Sequence, residues 1–95
     1  MSDSDKEAFY EKLKTQLEET TTFPTKYLYK FIVPTTGNQV NEVQDLFDQG
    51  GAVINTRKSR SGKYVSVSIH LDVENAEEVI SYYQKAEKIE GIISL

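Results

Sequence analysis

The stretch Lys58–Asp72, KSRSGKYVSVSIHLD, determines how the rest of the chain must be arranged. From Tyr64 to Asp72, apolar Val65, Val67, Ile69 and Leu71 alternate with Tyr64, Ser66, Ser68, His70 and Asp72. A period of two predicts a strand with one dry face and one wet face. Burying the four aliphatic side chains contributes roughly 6 to 12 kcal/mol gross, before the entropy of ordering the strand is subtracted. That gain belongs to an interior strand. Ser59, Arg60, Ser61 and Gly62 supply a turn that joins it to a more polar strand over residues 52–58, so the pair reads as a hairpin.

Upstream, residues 26–33, KYLYKFIV, are apolar on both faces except at Lys30, which suits a second interior strand. Pro34 to Asn38 interrupt it. Val40, Val43, Leu46 and Phe47 then fall on one side of a helix over residues 38–49, with Thr36 or Asn38 as candidate caps and Gly50-Gly51 as the stop. Downstream, Ala76, Val79, Ile80, Tyr83 and Ala86 mark one face of a helix over residues 74–87, capped by Asp72 or Asn75 and closing in Lys85 and Lys88. Ile89 to Leu95 completes the chain as a last strand. The order β-α-β-β-α-β, with two right-handed crossovers sharing one hairpin, predicts an α+β fold. It is a ferredoxin-like two-layer sandwich with a four-stranded antiparallel sheet and both helices on one side.

A further helix precedes this domain. Ser4 lies three residues before Glu7, a capping-box spacing, and Phe9, Leu13 and Leu17 recur every four residues over 5–19. The stripe is narrow, and it is compatible with docking on the domain, with pairing to another chain or with fraying. Thr20 to Thr22 end it. The expected organisation is an amphipathic extension over residues 1–22 and a single domain over residues 23–95.

Composition narrows the function classes. With 95 residues, 38% of them apolar, the chain supports one compact domain. It has no cysteine, so disulfides, thiolate metal sites and cysteine nucleophiles are excluded together. The start MSDSDKEAF lacks the basic and apolar regions of a secretion signal, and a cytoplasmic location is the expectation. No apolar run approaches the roughly 18 to 20 residues of a membrane span. The net charge of −4 is concentrated early, with three Lys against six Asp and Glu in residues 1–22, and eight basic against nine acidic residues thereafter. Arg57, Lys58, Arg60 and Lys63 make the one dense basic patch.

No catalytic constellation emerges. His70 is the only histidine, and on a strand it stands about 7 Å from Ser68, too far for a nucleophile and its base. One histidine without cysteine disfavours a zinc site, and no cofactor is expected. Gly62 to Val65 has the flavour of an RNA recognition strand, but Ser66 and Ser68 offer bases no stacking surface, and the acidic chain attracts nucleic acid weakly. Acylphosphatase shares the topology, yet the loop Pro34 to Asn38 contains no arginine to hold a phosphate. Glu18-Glu19 and Glu77-Glu78 are adjacent helical pairs that diverge around the axis, hence solvated rather than paired acids. Tyr27, Tyr29, Tyr82 and Tyr83 read as packing residues.

Phe23-Pro24, the Tyr29-Lys30 end of the first strand, and the run Ser61-Gly62-Lys63-Tyr64-Val65-Ser66-Val67-Ser68 resemble the YbeD-like family of small bacterial proteins of unknown function. The resemblance covers Phe23 to Leu95, and the serine-rich run is its most specific part. It implies a ferredoxin-like fold similar to the ACT regulatory domain, and an association of some members with lipoate-metabolism genes. It implies no activity and carries over no catalytic residue. The long acidic N-terminal helix departs from the family pattern.

The expectation is therefore a non-enzymatic regulatory or protein-interaction module. Its surface is the open sheet face, Lys30, Tyr64, Ser66, Ser68 and His70, with Arg57, Lys58, Arg60 and Lys63 at the basic edge. A protein partner, including a second copy of the chain, is the first expectation. A sensor of an amino acid or organic acid, as the ACT-like shape suggests, is the second, and RNA binding the third.

Overall fold

The computed structural model describes residues 3–48 and 51–95. Its elements run α1 (Asp3–Thr20), β1 (Thr25–Pro34), α2 (Gln39–Asp48), β2 (Val53–Lys58), β3 (Tyr64–Val73), α3 (Ala76–Ala86) and β4 (Ile93–Ser94). The sheet order is β2-β3-β1-β4 with every neighbouring pair antiparallel, the ferredoxin-like arrangement the element order predicts. β3 and β1 are the interior strands, paired along their full length from Thr25 opposite Val73 to Pro34 opposite Tyr64.

The dry face of the sheet carries Tyr29, Phe31 and Val33 from β1 and Val65, Val67, Ile69, Leu71 and Val73 from β3, all buried. Against them pack Val43 and Phe47 of α2 and Ala76, Val79, Ile80 and Ala86 of α3. Aromatic rings hold the two layers in register. The Tyr29 ring lies 4.9 Å from both Phe47 and Tyr83 and 4.8 Å from Tyr27, and its hydroxyl donates to the Val79 carbonyl at 3.1 Å. Offset and edge contacts of this kind add to area burial. The four tyrosines thus pack core and rim.

Local signals account for the helix ends. Asn75, not Asp72, caps α3: its side chain accepts from the Glu78 amide at 2.8 Å, while the Glu78 carboxylate accepts from the Glu74 amide. Asp72 lies within β3. Asn38 immediately precedes α2; its carbonyl accepts from the Glu42 N–H at 3.0 Å and its side-chain oxygen from the Asn41 side-chain NH2 at 2.7 Å. Gly51, with φ of 74°, supplies the expected left-handed stop, and Gly50 lies outside the described residues. The expected capping box rests on the Ser4 side chain, which lies outside the described residues.

One expectation is corrected. The last strand does not extend from Ile89 to Leu95 but comprises Ile93–Ser94, paired with Ile32 and Phe31. Residues 87–91 instead continue past α3 as tight turns, with Ile89 N–H donating to the Ala86 carbonyl and Gly91 at φ 75°, so β4 meets the sheet late. Of the alternatives open for the N-terminal helix, the structure shows docking on the domain. α1 lies beside α3 in the helix layer, its Leu17 buried in the core, its Tyr10 hydroxyl donating to Glu87 at 2.7 Å and its Lys14 3.3 Å from Glu77. The wet face of the sheet is left without a covering layer among the described residues.

Candidate functional site

Register places the wet face row by row. Leu28, His70 and Val53 form one row across β1, β3 and β2; Lys30, Ser68 and Asn55 the next; Ile32, Ser66 and Arg57 a third; Pro34 and Tyr64 the last. On the β4 side, Ile93 stands opposite Ile32, and the Leu95 amide donates to the Lys30 carbonyl at 2.9 Å, so both extend the same face. Six large apolar side chains among the described residues are strongly exposed, and five of them, Leu28, Val53, Tyr64, Ile93 and Leu95, at 44% to 69%, are on this face. The sixth is Phe9 of α1.

The centre of the face is hollow, for a simple steric reason. Ser66 and Ser68 are short side chains on an interior strand, and longer ones rise on both sides from β1 and β2. The result is a depression of about 300 Å³ lined by Lys30, Asn55, Arg57, Ser66, Ser68 and Leu95. Its charge is one-sided. Asp72, the acidic residue of the face, stands directly opposite Lys26, whereas Lys30 and Arg57 stand opposite serines. Among the described residues the one ion pair is Lys14 with Glu77. Among the described residues none of the trough's side chains takes part in an intramolecular hydrogen bond.

The serines of the hairpin tip behave differently. The Ser59 side chain accepts from the Tyr64 amide and the Ser61 side chain from the Lys63 amide, while the Gly62 amide donates to the Ser59 carbonyl. Thr35, at the end of β1, ties the tip down through its amide to the Lys63 carbonyl at 3.0 Å and its hydroxyl to the Gly62 carbonyl at 2.8 Å. Ser59 and Ser61 build the turn; Ser66 and Ser68 build nothing internal.

The residues singled out in the sequence are therefore divided. Lys30, Arg57, Ser66 and Ser68 come together in the trough, and Tyr64 and His70 flank it along β3. Lys58 stands opposite Val65, which turns it to the helix side of the sheet, away from Arg57. Arg60 and Lys63 sit in the tip, beyond the trough. Asn55 and Leu95 line the trough although sequence reading passed over them; the alternation of β2 back from Arg57, and of β4 around Ser94, is the signal that assigns them. Among the described residues no group of acidic, histidine or cysteine side chains is placed to hold a metal ion, and no helix is long and apolar enough to cross a membrane.

A family model and sequence relatives agree on one family. A family model described as "Protein of unknown function (DUF493)" matches residues 18–95. The UPF0250 protein YbeD of Escherichia coli O9:H4 is 33% identical over 81 residues, 82% of this chain and 93% of the relative, and the protein of that name from Shigella boydii serotype 18 matches to the same extent. Among solved structures, the solution structure of protein HP0495 from H. pylori superposes with a TM-score of 0.61 at 18% identity, covering 80% of this chain and 86% of that one. At that identity the likeness speaks for the fold alone.

Proposed function

We propose that this chain, which belongs to the DUF493 family of proteins of unknown function, acts as a non-enzymatic protein-interaction module through the uncovered face of its sheet. The supporting observation is the gathering of five strongly exposed apolar side chains on that one face, around an uncompensated cationic centre. Exposed apolar surface rimmed by polar groups marks sites that a partner covers. The partner that fits presents apolar side chains toward Leu28, Val53 and Leu95 and carboxylates toward Lys30 and Arg57. A second copy of the chain would bring the same two cations without their counter-charges, which favours a different, acidic partner.

The reading is tested by affinity capture with tagged wild type, Leu28→Asp, Val53→Asp and Phe9→Asp, followed by titration of the purified partner. Loss of at least about tenfold in affinity from either sheet variant, with Phe9→Asp unchanged, supports it. A partner indifferent to both sheet variants, or a monomer by light scattering that captures nothing, contradicts it.

A second reading, a small-ligand sensor, draws on a separate observation: the serine-floored trough has the volume of a small ligand seat and is lined by Lys30, Asn55, Arg57, Ser66 and Ser68. A thermal-shift panel of metabolites tests it. A ligand at 100 times its dissociation constant adds about 2.7 kcal/mol of stability, and a flat panel counts against the reading.

A further inference from the structure

We infer that the partner supplies an extended acidic segment that adds a strand to the outer edge of β2. The inference rests on the interaction reading of the sheet face and specifies how its partner is held. β2 is an outermost strand, and its ladder to β3 runs unbroken from Val53 opposite His70 to Lys58 opposite Val65. The next residue sets the phase of that ladder, because the Ser59 N–H donates to the Tyr64 carbonyl at 2.8 Å. Alternate residues of an antiparallel strand turn both backbone groups to the same side. Arg57, Asn55 and Val53 therefore face β3, while Lys58, Thr56 and Ile54 turn their N–H and carbonyl groups outward. Among the described residues no strand, turn or side chain bonds those outward groups.

Nor is the edge shielded among the described residues. Every residue of β2 except Ile54 is exposed, Thr56 and Lys58 on the helix side included, so the helix layer stops short of it. Proline and bulges are common devices for blunting an exposed edge; β2 has neither and carries Arg57 and Lys58 instead. The charge is one-sided over a long stretch. Between Asp48 and Asp72 the sequence holds Arg57, Lys58, Arg60 and Lys63 and no acidic residue, in a chain whose net charge is −4. Pairing with a second copy brings two such hairpins together, whereas an acidic strand meets complementary charge. The cations that keep identical chains apart thus select an acidic one. An added strand alternates its side chains between the two faces of the sheet. On the wet face they stand beside Arg57, which suits a carboxylate, and beside Val53, which joins this edge to the face the partner covers. Backbone pairing holds such a segment, and the side chains on alternate positions choose it.

The test is amide–water exchange, followed by nitrogen–proton correlation NMR of the full chain, with capped peptides the length of β2. One alternates threonine with glutamate, the second has lysine in place of glutamate, and the third is the glutamate peptide with alternate backbone amides N-methylated. The expected result is a saturable slowing of exchange at the Ile54, Thr56 and Lys58 amides with the glutamate peptide. The lysine and N-methylated peptides bind at least about tenfold more weakly. Arg57→Gln weakens the glutamate peptide about threefold or more, and Lys58→Gln, on the other face, leaves it unchanged. Thr56→Pro removes an outward donor that the fold does not use and abolishes binding, with retained spectral dispersion showing that the variant folds. Equal binding of the N-methylated peptide, or shifts without slowed exchange at these three amides, overturns strand addition. Equal binding of the lysine peptide overturns the acidic class. Concentration-dependent slowing in the chain alone makes a second copy the occupant and overturns the inference, as does the absence of any saturable effect. None of these outcomes touches the capture experiment, by which the interaction reading of the face stands or falls on its own.

Discussion

Arg57 stands directly opposite Ser66 across the β2–β3 ladder, and the next residue, Lys58, stands opposite Val65. Two adjacent cations in the sequence are thereby assigned to opposite sides of the sheet, because neighbouring strand residues point to opposite faces. Binding at the open face should accordingly fall with Arg57→Gln and be unmoved by Lys58→Gln. Both substitutions are at exposed positions, so urea unfolding should place each within about 0.5 kcal/mol of wild type. Equal losses of binding from the two would show that the patch acts through net charge alone.

The docking of α1 is graded along its length. Leu17 is 9% exposed and sits in the core, whereas Phe9, two turns earlier on the same stripe, is 63% exposed. Leu17→Ala should cost about 2 kcal/mol or more in urea unfolding, from lost burial and the cavity left behind, and Phe9→Ala less than about 0.5 kcal/mol. A silent Leu17→Ala would mean that the helix contributes nothing to the stability of the domain.

Gly91 controls how β4 reaches the sheet. It holds φ 75°, and a methyl group there would meet the Pro34 ring at 2.9 Å. Gly91→Ala should cost about 1 to 3 kcal/mol through the combined backbone strain and contact, and hydrogen exchange should quicken at the Leu95 amide that bonds Lys30. Gly51→Ala shares the positive φ but has nothing within 4 Å of the added carbon, so its cost should be nearer about 1 kcal/mol.

The buried phenols make the domain alkali-sensitive. Burial, then the neighbouring rings, raise Tyr29 well above its ordinary 10.0; burial, then the Tyr27 hydroxyl, raise Tyr83. The folded chain keeps protons that the unfolded chain releases, so this contribution is fully present below about pH 10 and is lost as pH climbs through the folded values. The urea midpoint should fall above about pH 10, and less steeply in Tyr29→Phe. Tyrosinate absorbance developing near pH 10 for all six tyrosines without loss of structure would contradict this.

The interior of this fold was legible because Val65, Val67, Ile69 and Leu71 alternate cleanly and because β1 is apolar enough to demand burial. That legibility extended to which face Ser66 and Ser68 occupy. β4 was read too long: Glu90 and Gly91 separate Ile89 from Ile92 and Ile93, and the Ile89 N–H to Ala86 and Ile92 N–H to Ile89 hydrogen bonds show that the first part is turn. Gln39 escaped notice for a similar reason. It is a polar residue buried on α2 with Val43 and Phe47, its amide oxygen lacking a partner among the described residues. The trough was half visible, since the serines and their cations stand out in sequence while Asn55 and Leu95 enter it only through pairing register.

Hydroxyl-radical footprinting of the protein inside cells, compared with the purified chain, puts the account to its most direct trial. Occupation of the sheet face predicts that Leu28, Tyr64, Ile93 and Leu95 are protected in cells, while Phe9, equally open on α1, is labelled alike in both settings. Equal labelling of the sheet residues in cells and in purified protein would contradict it.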